Sequence, residues 1–229
     1  MVTGANERKS TIGQVMKAKS TISRLTPRDA AAYRDLMLHA YQHYPEAFTT
    51  SYAERCGLAL AFWESRLSVD AYARETVLGA WVDGKLVGLV GLAMEAREKT
   101  LHKATLFGMF VTEQHRGHGL GSQLVAAILN EARARPQLRI VQLTVTDGNT
   151  AKSLYERHGF KEFGLEPYAV AVGTAASGTE YVGKWHMWCE LDQMTIKPQL
   201  PINASRGMLG AFASGIEETE IPKERERFD

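Results

Sequence analysis

The 229-residue sequence has two cysteines, Cys56 and Cys189, far apart and in no metal-like spacing. That excludes a disulfide framework and a CxxC site. Free thiols fit a reducing cytosol, and a cytoplasmic location is the expectation. Long apolar runs are missing as well. No stretch approaches the ~20 apolar residues of a membrane span, and residues 1–19 carry basic side chains without the apolar core of a signal peptide. No membrane association is expected. An excess of one charge is equally absent: 27 Lys and Arg stand against 26 Asp and Glu, a net charge of +1. Acid and base are interspersed, and no basic tract or aromatic-basic interleaving points to nucleic acid.

What is present is ordinary globular material, 45% hydrophobic and 23% charged, enough for one domain with tails. Residues 1–19 read as a flexible leader, 20–191 as the domain, and 192–229, with scattered Gly and Pro and a charged end, as a peripheral or disordered tail. Thr21 to Leu25 reads as a short strand. Thr26-Pro27-Arg28-Asp29 then starts a helix, and Tyr33, Leu36, Met37, Ala40, Tyr41 and Tyr44 recur at helical steps up to Pro45. A second helical pattern runs through Leu58, Phe62, Ser65 and Leu67. Val77 to Val82, Asp83-Gly84 and Leu86 to Met94 make a hairpin, because Asp-Gly suits a two-residue turn. His102 to Thr112 is a strand covered on both faces. After a glycine loop, Leu120, Leu124, Ala127, Ile128 and Ala132 line one helical face. Arg139 to Thr146 is a strand, Asn149 to His158 a short helix closed by Gly159, and Phe160 to Phe163 and Tyr181 to Leu191 two final strands. Leu165 to Gly178 reads as a crossing segment. The fold class is mixed α/β, with an antiparallel front and a strand–helix–strand unit in the middle.

The chemistry centres on Arg116-Gly117-His118-Gly119-Leu120-Gly121, between an apolar strand and an amphipathic helix. Glycines there let consecutive N–H groups converge on an anion, and the helix adds unpaired N–H groups and its positive end. A Walker loop would need Gly-Lys-Ser/Thr, which is absent. A dinucleotide fingerprint would need glycine where Ser122 stands, and an acid about twenty residues on, where Ala134 to Ile140 has none.

Arg116 to Gly121 matches R/Q-x-x-G-x-G/A, and Asn149 to Phe160 looks like N-x-x-A-x-x-L/F-Y-x-x-x-G-F with one residue fewer between Asn149 and Ala151. In this order, with one helix and one strand between, they resemble the GNAT superfamily of N-acetyltransferases over Ser20 to Leu191. The resemblance implies a mostly antiparallel twisted sheet flanked by helices, with splayed central strands forming an acetyl-CoA cleft. It implies that Met109 and Val111 bind the cofactor arm through main-chain groups, so their side chains should matter little. Gly117, His118, Gly119, Gly121 and Ser122 would sit at the pyrophosphate, with Arg116 adding charge. Asn149 would contact the cofactor arm or serve as a plain helix cap. Tyr155 is the candidate acid for the leaving thiolate, or else an aromatic core residue. For the general base the candidates are His102 and Glu95.

No metal is expected, and neither motif contains a cysteine, so direct attack in a ternary complex is expected rather than an acyl-enzyme. The partner would be a small-molecule or peptide amine, and a homodimer through the final strands is compatible with the family. A catalytically silent CoA-binding module is the alternative. Tyr41, Tyr44, Phe48, Trp185 and Trp188 are candidate acceptor-pocket residues, and Gly164 to Gly183 is expected to cover the acceptor entrance.

Overall fold

Asp29 opens the first helical region by accepting from both the N–H and the hydroxyl of Thr26, at 2.8 and 3.0 Å, which closes the turn through Pro27. The computed structural model describes residues 20–70, 72–174 and 178–191; the leader and tail assigned from sequence lie outside them. The order is β1 (Ser20–Arg24), α1 (Ala30–His43), α2 (Tyr52–Cys56), α3 (Leu60–Ser65), β2 (Glu75–Val82), β3 (Lys85–Met94), β4 (Lys103–Val111), α4 (Leu120–Arg133), β5 (Ile140–Thr146), α5 (Ala151–Arg157), β6 (Lys161–Thr174) and β7 (Gly178–Glu190).

Among the described residues seven strands form one sheet in the order β1-β2-β3-β4-β5-β7-β6. Every pairing is antiparallel except β4 with β5, which is parallel. Asp83 and Gly84 both have positive φ, 49° and 75°, the conformation of a tight two-residue hairpin turn. Side chains alternate across the sheet, so each face has its own core. On one face α4 buries Leu124 and Ile128 chiefly against β2, β3 and β4, and Tyr155 of α5 and Phe160 join the same core with residues of β5 and β7. On the other, α1 and α3 bury Tyr33, Met37 and Trp63 against Val77, Leu89 and Phe110.

The parallel pair is short: only Lys103–Thr105 register with Ile140–Gln142. Beyond this point β4 and β5 part. The cause lies on the other edge of β4, where two residue steps of β3 (Leu89 to Gly91) oppose three of β4 (Phe107 to Phe110). Gly108 sits in that bulge at φ 64°. A bulge bends its strand, and here it turns β4 away from β5.

Two expectations need correction. Leu165 to Gly178 is no crossing segment: β6 continues to Thr174 and pairs with β7 down to Gly178, with register shifts between Glu162 and Gly164 and between Glu166 and Val170. The second shift absorbs Pro167, which cannot donate to a ladder, and Tyr168 at φ 53°. The second helical pattern, read over Leu58 to Leu67, is shortened to α3 at Leu60–Ser65, and α2 at Tyr52–Cys56 precedes it where no helix is expected.

Candidate active site

Gly117 and Gly119 both adopt left-handed backbone, φ 77° and 81°, and Gly119 caps α4. Among the described residues the N–H groups of 117–119 find no acceptor. Those of Leu120, Gly121 and Ser122 occupy the first helical turn, where no carbonyl lies four residues back within the helix; the first such bond is Gln123 to Gly119 at 3.0 Å. A run of unsatisfied amides at a helix's positive end fits an anion such as a pyrophosphate. Gly121 serves a different need: a Cβ there would lie 3.3 Å from both Leu154 and Met109, so it permits close approach of α4 to α5 and β4.

The surrounding side chains set the loop's shape. Arg116 Nε donates to the Val111 carbonyl at 2.9 Å, and its guanidinium lies over the rings of Tyr44 at 4.5 Å and Phe110 at 5.6 Å. Arg116 therefore staples the loop to the end of β4, beside any charge it adds. The Ser122 hydroxyl is 2.8 Å from His158 Nε2, and the His115 ring is 2.8 Å from the Thr112 hydroxyl. His118 is exposed and lines no cavity. Asn149 Oδ1 accepts from the Ala151 N–H at 2.8 Å, the bond of a helix cap. The Val111 side chain is 8% exposed and packed in the core, so against expectation it matters for packing.

Two cavities meet where β4 and β5 part. One, of about 880 Å³, is lined by the 115–122 loop, the end of β4 and the start of α5. The other, of about 520 Å³, lies between the parted strands, α1, α3 and β7. Met109, Thr146, Asn149 and Ala151 border both. Tyr155 is 5% exposed, packs edge-on against Phe160, and reaches the second cavity. Burial pushes its phenol well above the ordinary value of 10.0, so it holds its proton at neutral pH. Its hydroxyl has no hydrogen-bond partner among the described residues.

The second cavity contains charges that the motifs did not indicate. Arg66 pairs with Glu75 at 3.0 Å, and burial raises the Glu75 carboxyl pKa against the pull of Arg66. Arg55 lies over the Phe62 ring at 4.9 Å, and Lys184 is bonded to Thr49. Neither Arg66 nor Glu75 belongs to a motif. Lys184 carried one weak signal: it shares a strand face with His186 in a segment otherwise rich in aromatics.

The structure brings Tyr155, Asn149, Met109 and the glycine loop together. It does not bring His102 or Glu95: both stand at the far end of β4 from the loop, where Glu95 N donates to the Lys103 carbonyl and the His102 carbonyl accepts from Arg139, and neither lines a cavity. Of the expected acceptor-pocket aromatics, Tyr41 and Phe48 line the second cavity, and Tyr44 lines the first. Trp185 is on the α5 side, bonded to Asp147, and Trp188 lines neither. No described residue of 164–183 lines the acceptor-side cavity, because that stretch forms the outer part of the β6–β7 hairpin.

The chain belongs to the acetyltransferase (GNAT) family, whose model matches residues 35–160, more than half of its length. It is 34% identical over 95 residues to human N-acetyltransferase 8, a match covering 39% of this chain and 41% of that relative's length. Among solved structures it resembles a GNAT-family acetyltransferase from Streptococcus pneumoniae, with TM-score 0.65, 24% identity, and coverage of 76% of this chain and 99% of that one. It also resembles yncA of Salmonella typhimurium, in a structure with its cofactor acetyl-CoA, with TM-score 0.60, 21% identity, and coverage of 77% and 96%. At these identities the structural likenesses speak for the fold. No described helix is long and apolar enough to cross a membrane.

Proposed function

We propose that the protein transfers an acetyl group from acetyl-CoA to a primary amine by direct attack in a ternary complex. The observation that carries this reading is the set of bare amides at residues 117–122, opening onto the seam that leads to Tyr155. Residues 117–122 would hold the pyrophosphate, and the unpaired edge of β4 around Met109 would take the pantetheine arm. Bound there, acetyl-CoA supplies a thioester carbon open to an amine nucleophile.

Tyr155 then gives its proton to the departing sulfur. Its raised pKa keeps that proton in place until negative charge develops beside it. The amine's own proton needs a base, and among the described residues Glu75 is the carboxyl that faces the acceptor-side cavity. Its raised pKa makes it a stronger base than an exposed glutamate.

Thiol release from acetyl-CoA, measured against a panel of amines, tests the reading. Tyr155→Phe should lower kcat by about 10²-fold or more while CoA still binds. Tight CoA binding with no thiol release on any amine would leave a silent CoA-binding module instead.

A further inference from the structure

The cations of the acceptor-side cavity are unequally compensated. Arg66 has Glu75. Lys184, on β7, is only 7% exposed, yet its ammonium has one bonded neighbour among the described residues, the Thr49 hydroxyl at 2.6 Å. An ammonium carries three donors, and a buried cation is normally paired. Lys184 is flanked across the ladder by Thr146 on β5 and Glu166 on β6. Glu166 directs its carboxylate to His186 at 3.0 Å. No carboxylate lies within ion-pair distance of Lys184 among the described residues. Arg55, at the same cavity, lies on Phe62 and likewise has no such partner.

The Lys184 head is also held in place. Its partner Thr49 sits in the segment after α1, and that segment is tied to β5 by the Thr146 hydroxyl, which donates to the Glu46 carbonyl at 2.7 Å. A buried cation, fixed in position and with donors to spare, is preorganised for an anion from outside.

We propose that Lys184 binds an anionic group of the acceptor, so that the acceptor is an amine that also carries a carboxylate. This rests on the acetyltransfer reading. A carboxylate suits the site better than a phosphate, because the one spare buried ammonium matches a single negative charge and no glycine loop opens into this cavity. Tyr41, Phe48 and Phe62 offer an apolar wall to the rest of the molecule. The surplus positive charge disfavours polyamines. Lys184 also lies outside the region matched by the family model, so the match itself assigns it nothing.

Two measurements test the proposal. In the first, kcat/KM is compared for apolar α-amino acids and their amides by thiol release. The unsubstituted protein should prefer the free acid, Lys184→Met should reduce the acid-to-amide ratio roughly 10- to 100-fold, and Lys184→Arg should restore part of it. Equal use of acid and amide, or an unchanged ratio in Lys184→Met, overturns the proposal.

The second needs no turnover: calorimetry of N-acetyl amino acids with the CoA-loaded protein. Binding that is lost in Lys184→Met, with the thermal midpoint and CoA affinity retained, supports the site. No binding by the unsubstituted protein overturns it. Carboxylate binding without thiol release on any amine would sink the acetyltransfer reading alone. Turnover of neutral amines without carboxylate binding would sink this one alone.

Discussion

One side-chain hydrogen bond ties the end of the anion loop to the second motif: the Ser122 hydroxyl against His158 Nε2. Burial lowers the His158 pKa, and the positive charges of Arg157 and Arg133 lower it further. The sign of the effect on stability follows. A depressed folded-state pKa means that the unfolded chain takes up the proton first, so stability present above the ordinary value of 6.5 is lost as pH falls through the depressed one. Thermal midpoints measured between neutral and mildly acidic pH should therefore fall more steeply for the unsubstituted protein than for His158→Gln, which cannot charge. Parallel slopes would mean that the ring's protonation is not coupled to folding. The two residues are 36 apart in sequence, and no pattern within either motif implies their contact.

At the scale of elements, the bulge in β4 opens the cleft, and Gly108 is what allows it. A Cβ at Gly108 would meet Leu89 only at 3.6 Å, ordinary contact, so the constraint is its φ of 64° and not space. Gly108→Ala should cost about 1–2 kcal/mol, or flatten the bulge and narrow the seam. Gly108→Asn should cost less, since Asn tolerates the left-handed region. Urea unfolding of both variants checks the order, and equal costs would point to crowding instead. The sequence made some elements legible and not others, for physical reasons. Asp83-Gly84, the apolar face of α4 and the glycine loop are local signals, and each stands where the pattern puts it. The bulge is not local: Gly108 in an apolar strand gave no sign that β4 would leave β5. Pro167 and the glycines around it read as a break, whereas the strand takes them up as a bulge. The acceptor-side charges, Arg66, Glu75 and Lys184, come from the end of α3, from β2 and from β7, and only the assembled sheet puts them around one cavity.

For the described domain as a whole, one sheet serves two cores, and adjacent residues of β3 show how closely they are joined. Leu89 belongs to the α1 and α3 side and Val90 to the α4 side, each with 0% exposure. Neither core can lose its half of the sheet without exposing the other, so the domain should unfold in one cooperative step. Leu124 on α4, 0% exposed, and Leu67 after α3, 1% exposed, lie in opposite cores and share no packing cluster. Leu124→Ala and Leu67→Ala should each cost about 2–5 kcal/mol. Because the two sites act on one transition from opposite faces, the double variant should show the sum to within about 0.5 kcal/mol. Far-UV circular dichroism and tryptophan fluorescence followed through denaturant should coincide for all three variants. Separate transitions, or a Leu67→Ala variant that loses fluorescence change while its helix signal melts unshifted, would show that the faces unfold independently. The cleft would then lie between two weakly coupled layers, and its geometry could vary without global unfolding. Coincident transitions would instead make the opening between β4 and β5 a fixed property of the folded sheet, formed before any ligand arrives.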